Sequence, residues 1–154
     1  MTKSAEAAAW IFQESPNIFD GAAAACEQPT GLIRWLVTHS EGYILPGQPA
    51  FVWRAGSRGG FVAAGVISAP PEPDVLSAGD LQHWHAAKAR DLSRSSRWWV
   101  PVQMRRRFKA GQYSRERLKA HPILGSQQPI CPAHVGSNFA VSAECLNALR
   151  VLLK

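Results

Sequence analysis

The chain has 154 residues, 46% of them hydrophobic, and carries a formal net charge of +6 at pH 7. This length fits one domain with a hydrophobic core of its own. No apolar run approaches the roughly 18 residues of a membrane-spanning helix, and the N-terminus lacks the charged start and long apolar middle of a secretory signal. We therefore expect a cytoplasmic protein with a flexible tail over residues 1–8 and a single domain over residues 9–154.

Cysteine usage supports this location. The three cysteines, Cys26, Cys131 and Cys145, are an odd number without tight spacing. This argues against a disulfide framework and is typical of a reducing compartment. Cys145 falls in an apolar helical pattern and is expected in the core.

The positive charge is concentrated in one quarter of the chain. Residues 82–121 hold eleven lysines and arginines against two acids, Asp91 and Glu116, so this stretch carries +9 and the remainder −3. Such clustering is typical of an anion-binding face. The alternative is a solvated surface that only keeps the protein soluble.

In chain order, the first predicted element is a strand in the apolar run at residues 10–13. Pro16 predicts a turn over residues 15–17, because proline fixes its own φ and biases the residue before it away from helix. The alanine-rich stretch 18–27 is typical of a short helix, and residues 32–38 form the next candidate strand.

A hairpin follows. A turn over residues 45–49 leads into two strands, 50–54 and 61–68, and the glycine-rich segment 55–60 joins them. The second strand is apolar on both faces, which is typical of a central buried strand. Three prolines within residues 69–74 end it.

The strand predicted over residues 97–108 is the most informative element. Residues 75–96 before it are ambiguous, since 81–92 fits either a helix or a loop. On a period of two, one face of the strand is apolar and the other is rich in arginine. The apolar face, expected in the core, holds Trp98, Val100, Val102, Met104 and Phe108. The opposite face, expected to meet a polyanion, holds Arg97, Trp99, Gln103, Arg105 and Arg107.

Two short helices complete the prediction. Ser114 is placed to cap a helix over residues 115–120. Ser142 is placed to cap a last helix, whose apolar stripe is Cys145, Leu149 and Leu152. Strands joined by hairpins, with helices outside them, favour an α+β domain around a small, mostly antiparallel β-barrel.

This ordered set of elements resembles the EVE domain family of the PUA-like superfamily, which is related to the YTH readers of methylated adenine. The resemblance covers nearly the whole chain and rests on residues 10–13, 15–16, 19–20, 35–37, 44–48, 51–54, 60–67, 99–102 and 118–124. Three positions depart from the family. Ser15 stands where asparagine is usual, Gln48 where aspartate is usual, and Ala55-Gly56 where a serine is expected.

The resemblance implies an aromatic pocket that stacks a flipped, modified base, such as a methylated cytosine in DNA or a modified base in RNA. Trp35 is then one wall, Trp53 a second candidate and a tryptophan between residues 84 and 99 a third, with Ser15 at the base edge. Each stacking contact stabilises a bound base by about 1–3 kcal/mol, and arginines on the phosphates make binding salt-dependent. The predicted base-binding residues are Trp35, Trp53, Ser15, Trp10 and Trp99. The predicted phosphate-binding residues are Arg97, Arg105, Arg107, Arg54 and Arg58.

Catalytic and metal-binding motifs give no competing prediction. The sequence contains no Walker loop, HExxH or Gly-x-Ser-x-Gly motif. Cys131, His134, His83 and His85 lack the paired spacing of a zinc site. We expect a monomeric, non-enzymatic module without cofactor, metal or membrane partner, which binds DNA or RNA. The alternative is a module that holds a small molecule or a protein in the same pocket, without nucleic acid.

Overall fold

The computed structural model describes residues 3–15, 31–56, 58–77, 81–131 and 137–154. The helix predicted over residues 18–27 lies outside the described residues, as do Cys26, His134 and all of the turn at 15–17 except Ser15.

Eight strands of the described chain form one sheet. They are β1 (Ala9–Glu14), β2 (Leu32–Val37), β3 (Pro49–Arg54), β4 (Gly60–Ile67), β5 (Glu72–Asp74), β6 (Arg97–Arg107), β7 (Tyr113–Ser114) and β8 (Asn138–Val141). The sheet order is β2-β6-β4-β3-β1-β8, with β5 paired to β6 and β7 to β4. β1 and β3 are parallel, and the other described ladders are antiparallel. The predicted strands and the mostly antiparallel sheet are therefore confirmed.

Three helices accompany this sheet in the described residues: α1 (Ala86–Leu92), α2 (Arg115–Leu118) and α3 (Ala143–Leu152). Ser114 and Ser142 cap α2 and α3 as predicted, each accepting a hydrogen bond from the backbone N–H three residues further on. The ambiguous segment 81–92 is helical over its second half. No helix in this part of the chain is long and apolar enough to span a membrane.

The sheet curls into a half-barrel. Phe12 on β1 and Trp35 on β2 are four positions apart in the sheet order, yet their ring centroids are only 5.8 Å apart. The face that carries both rings is therefore the concave inside of the curled sheet.

Side chains connect the two edges of the half-barrel, β2 and β8. The buried Asn138 amide accepts a hydrogen bond from the Thr38 N–H at 3.1 Å and donates one to the His39 carbonyl at 2.9 Å. Ser137 Oγ adds a hydrogen bond to the Leu36 carbonyl at 2.8 Å. Backbone groups at a sheet edge lack a neighbouring strand on one side, and these side chains supply hydrogen bonds to some of them.

Apolar side chains pack on both sides of the curled sheet. The inner cluster on the concave side comprises Trp10, Phe12, Ile33, Trp35, Val37, Ile44, Ala50, Val52, Ala63, Ile67, Val100 and Val102. The outer cluster, to which α2 and α3 contribute, comprises Ala9, Ile11, Phe51, Trp53, Phe61, Phe108, Leu118, Leu124, Ile130, Phe139, Val141, Cys145, Leu146, Leu149 and Leu153. A third, small cluster beside α1 comprises Leu76, Leu81, Leu92 and Trp99.

A β-bulge decides which way the arginines of β6 point. The ladder between β4 and β6 skips Arg105, and one extra residue moves the side chains that follow to the opposite face. Arg107 consequently lies opposite Ala63 of the inner cluster, and Phe108 packs in the outer cluster. The predicted faces of Arg107 and Phe108 are wrong for this reason.

Gln48, which departs from the family pattern, has a structural role. Its side-chain oxygen accepts hydrogen bonds from Trp10 Nε1 at 2.9 Å and from the Leu45 N–H at 2.8 Å. Its amide nitrogen donates to the Ala7 carbonyl at 3.1 Å. An aspartate could accept but not donate, so glutamine satisfies all three groups.

Part of the predicted tail, residues 3–8, is described. Ser4–Glu6 form a 3-10 turn, and the Ala8 N–H donates to the Val141 carbonyl at 2.8 Å. The boundary between a tail and the domain stays a prediction.

Asn138→Ala removes the amide that bonds both Thr38 and His39. We expect the free energy of unfolding to fall by about 2 kcal/mol, because two part-buried hydrogen bonds between the edges of the sheet are lost. Urea denaturation measures this change. The matched control is Asn147→Ala on exposed α3 surface, which should be neutral or slightly stabilising since alanine favours helix. Equal stability of the two variants would contradict the closing role of Asn138.

Candidate functional site

The tryptophans predicted to form the base pocket do not meet. Trp10 and Trp35 lie in the inner cluster, Trp53 in the outer cluster and Trp99 in the cluster beside α1. Because side chains alternate along β3, Val52 points inward and Trp53 outward. Trp53, one candidate for the second wall, therefore lies on the opposite side of the sheet from Trp35.

All four of these indole rings are 0–2% exposed, so none presents an open face to solvent. Trp53 packs edge-on against Phe61 with ring centroids 5.0 Å apart. Trp99 packs in the same way against Trp84 at 6.0 Å. Such contacts are typical of core aromatics. A role of Trp35 in contacting a base stays a prediction.

The exposed indole of β6 is Trp98. It lies opposite Val37 at the rim of the concave side, and 39% of it is exposed. The cluster that buries Trp99 is completed by Leu76, Leu81 and Leu92. The predicted roles, with Trp98 in the core and Trp99 available for stacking, are thus reversed. The cause is the segment before β6, which packs over Trp99 and leaves Trp98 uncovered. The sequence pattern did not predict which face of β6 this segment covers.

Three charged residues lie beside two buried aromatic residues at one end of the concave side. We call this end the mouth, and it comprises Phe12, Glu14, Trp35, Arg54 and Arg107. Glu14 and Arg54 are direct neighbours across β1 and β3, and Phe12 packs against Trp35. A row of paired residues also crosses β1, β3, β4 and β6 at this end through Phe12, Val52, Ala63 and Arg107. The sheet therefore brings an aromatic surface, a carboxylate and two guanidinium groups to one place.

An ion pair lies inside the mouth. Arg54 Nε donates to Glu14 Oε1 at 3.0 Å, and the side chains are 35% and 0% exposed respectively. Glu14 is absent from the residues predicted to bind. The alternation along β1 could have identified it, because Glu14 is an acid at the end of the inward-facing row that begins with Trp10 and Phe12.

Besides Trp35, four of the predicted residues lie at or next to the mouth. Arg54 and Arg107 belong to it, Arg58 is exposed in the turn between β3 and β4, and Ser15 follows Glu14 and is half-buried. Arg105 is exposed at the bulge, two residues before Arg107.

Arg97 lies apart from these arginines. It begins β6, roughly 33 Å from Arg107 at about 3.3 Å per residue, and its Nη2 lies 3.5 Å from an Asp91 carboxylate oxygen. The basic stretch of the sequence is therefore divided between the two ends of β6. The predicted phosphate contacts of Arg97 and Arg107 therefore lie at different ends of β6, and their roles stay predictions.

A groove of about 880 Å³ shares no residue with the mouth. Its walls come from the N-terminal turn, residues 122–128, β8 and the start of α3. Lys3, Glu6 and Glu144 give it mixed charge, and Phe139 and His39 are the aromatic side chains in its wall.

Metal ligands do not cluster in the described residues. No group of three or more His, Cys, Asp or Glu side chains there could hold a metal ion. Cys131 Sγ donates to the Ser126 carbonyl at 3.1 Å, and His134 lies outside the described residues.

Comparison with known proteins finds similarity at the level of structure. No protein-family model matches this sequence, and no curated protein does. Solved structures of proteins from Pseudomonas putida and Pseudomonas syringae match with TM-scores of 0.65 and 0.63. Each is 21% identical, and each alignment covers 94% of this chain and 99% of the other.

The DUF55 domain of human thymocyte nuclear protein 1 matches over 94% of this chain and 97% of its own, with a TM-score of 0.61 and 15% identity. The chain has the fold of this DUF55 domain. The EVE, PUA-like fold implied by the sequence is thereby confirmed. Another structure of the human protein, THYN1, is a complex with DNA that contains 5-methylcytosine; it has a TM-score of 0.61 and 14% identity.

The exposure of the two β6 tryptophans in this DUF55-like fold can be checked by fluorescence. We expect Trp98→Phe to lower the fraction of tryptophan emission quenched by acrylamide, because a collisional quencher reaches exposed rings. Trp99→Phe, which changes a ring that is 2% exposed, is the matched control and should slightly raise that fraction, because an emitter that the quencher does not reach is lost from the total. A lower quenched fraction in Trp99→Phe, but not in Trp98→Phe, would show that Trp99 is the exposed ring and Trp98 the buried one.

Proposed function

We propose that the protein binds nucleic acid and captures a modified base at the mouth, with 5-methylcytosine in DNA as the first candidate. One observation carries the proposal. The chain matches, over 94% of its length, a human protein whose structure contains 5-methylcytosine DNA. Modified RNA is the second candidate, because arginine side chains such as Arg107 and Arg58 can contact phosphate in either polymer.

The chemistry of the mouth supports base capture. Phe12 and Trp35 are the aromatic residues of the mouth, and any base can stack on such a ring once it is uncovered. Arg107 and the exposed Arg58 in the adjoining turn provide positive charge for phosphates. A 5-methyl group adds apolar area that favours the inner cluster over water.

Burial of Trp35 sets a condition on binding. Its ring is 2% exposed, so a base can stack on it only after neighbouring side chains move apart. Extrusion of a base from a duplex costs a further few kcal/mol, and this cost is absent in a single strand. We therefore propose single-stranded or locally unpaired DNA as the preferred form.

The salt dependence of affinity distinguishes nucleic-acid binding from the alternative, a module that holds a small molecule without nucleic acid. With about three phosphate contacts on a single strand, log K falls with log salt concentration at a slope of about −2.1. We expect affinity for a 5-methylcytosine oligonucleotide to fall roughly 20-fold between 50 and 200 mM salt, measured by fluorescence anisotropy. A free nucleoside or other neutral ligand should respond little to salt. Binding that is confined to such a ligand would support a small-molecule module instead.

Arg107→Ala should weaken oligonucleotide binding about 5- to 10-fold at 50 mM salt, because one charged contact is lost. It should also reduce the magnitude of the salt slope by about 0.7. The matched control is Arg150→Ala on exposed α3 surface, which should change neither quantity. Equal loss in the two variants would indicate a non-specific charge effect and contradict a phosphate contact at the mouth.

A further inference from the structure

The Glu14–Arg54 pair places a charge in the interior, where the other buried polar side chains of the described residues, Gln127 and Asn138, are neutral. The Glu14 side chain is fully buried, and its neighbours along the inward row of β1 are Trp10 and Phe12. Replacing a buried ion pair by apolar side chains is often neutral or stabilising, because desolvation offsets the attraction between the charges. Stability alone is therefore a weak reason for a carboxylate at this position.

The position of the pair connects the interior with solvent. Glu14 follows Phe12 on the same face of β1, and the Phe12 ring lies 5.8 Å from Trp35. Arg54, which holds the carboxylate through Nε at 3.0 Å, is 35% exposed. Phe12 and Trp35 are 0% and 2% exposed, so a planar ring stacks on them only after neighbouring side chains move apart. The charged groups nearest to that position along β1 and β3 are the Glu14 carboxylate inside the mouth and the Arg54 guanidinium at its rim.

We propose that Glu14 and Arg54 read the hydrogen-bonding edge of the captured pyrimidine and select cytosine over thymine and uracil. This inference rests on the proposed function and specifies the base that the same site takes. It assigns a specificity role to Glu14, and it gives Arg54 a base-edge role in place of the predicted phosphate contact.

The chemistry of the two groups explains the selection. A carboxylate paired with arginine only accepts hydrogen bonds, and a guanidinium only donates them. Cytosine presents an amino donor at C4 beside the acceptors N3 and O2, so its amino group matches Glu14 and its acceptors match Arg54. Thymine and uracil present the O4 acceptor where cytosine has the amino group. Their O4 then meets the Glu14 oxygens, and the contact becomes repulsive.

The methyl group lies away from this edge. C5 is on the opposite side of the pyrimidine from N3 and O2, so a 5-methyl group is free to contact the aromatic residues. 5-Methylcytosine and thymine carry the same methyl group and differ at the edge that Glu14 and Arg54 are proposed to read. A difference in affinity between these two bases is therefore due to the hydrogen-bonding edge and not to the methyl group.

The test uses the full chain and single-stranded DNA oligonucleotides that differ at one central base, 5-methylcytosine or thymine. We expect the wild-type protein to bind the 5-methylcytosine strand about 5- to 150-fold more tightly, which is the range for a good pairing of side chain and base. Fluorescence anisotropy at 50 mM salt measures both affinities.

Glu14→Gln should reduce that preference to less than about threefold, because a glutamine amide can also donate to O4. The matched control is Glu116→Gln on exposed α2 surface, which should keep the wild-type preference. A purely structural role of Glu14 predicts lower stability or equal weakening for both strands, without a change in their ratio.

A third oligonucleotide tests the inference without a mutation, so it remains testable if the Glu14 variant does not fold. It carries 5-methylpyrimidin-2-one, which keeps the methyl group, N3 and O2 but lacks the amino group. The wild-type protein should bind it at least about fivefold more weakly than the 5-methylcytosine strand.

The outcomes separate this inference from the function on which it rests. Absence of binding to every oligonucleotide at low salt overturns the proposed function and the inference together. Binding with equal affinity for 5-methylcytosine and thymine overturns the inference and leaves nucleic-acid binding in place. A preference that survives Glu14→Gln assigns the selection to other groups and overturns the role of Glu14.

Discussion

Closure of the curled sheet by the Asn138 amide is the constraint on which the rest of the structure depends. β2 and β8 are at opposite ends of the sheet order, and the Asn138 side chain bonds to the backbone just after β2. Because the edges are joined, the inward side chains of β1 and β2 face one another across the concave side. The contact between Phe12 and Trp35 follows from this closure, and so does the position of the mouth.

The aromatic residues of this protein mainly build its core. Four of the six tryptophans are at most 2% exposed, and they are divided among three clusters on both sides of the sheet. A high tryptophan content therefore does not indicate a cage of indole rings here. What distinguishes the mouth from the remaining interior is polarity, because a carboxylate and two guanidinium groups stand beside the aromatic surface there.

A single-residue irregularity determines how the positive charge is used. The bulge at Arg105 directs Arg107 toward the concave side, whereas Arg106 turns to the outside, where its guanidinium lies 5.2 Å from the centroid of the Phe108 ring. Without the bulge, these two side chains would exchange faces. Three consecutive arginines thus have different surroundings, and their identical chemistry in the sequence does not imply an identical role.

The sequence by itself determined the local elements and the family of folds. Alternation predicted the strands, and Ser114 and Ser142 identified the starts of two helices, because these signals act between residues a few positions apart. The ordered set of segments from β1 to α2 was enough to imply the EVE, PUA-like fold. It also singled out Trp35, Arg54 and Arg107, three residues that the structure places at the mouth.

Tertiary structure decided which predicted residues meet. The faces of Trp53 and Phe108, the burial of Trp99 and the pairing of Glu14 with Arg54 all depend on contacts between residues far apart in the chain. A period of two assigns side chains to two faces, but it does not say which face is concave, where a bulge reverses the order or which segment covers a strand. Those choices are made by strand register and by closure of the sheet, since only packing of the whole chain selects among locally equivalent arrangements.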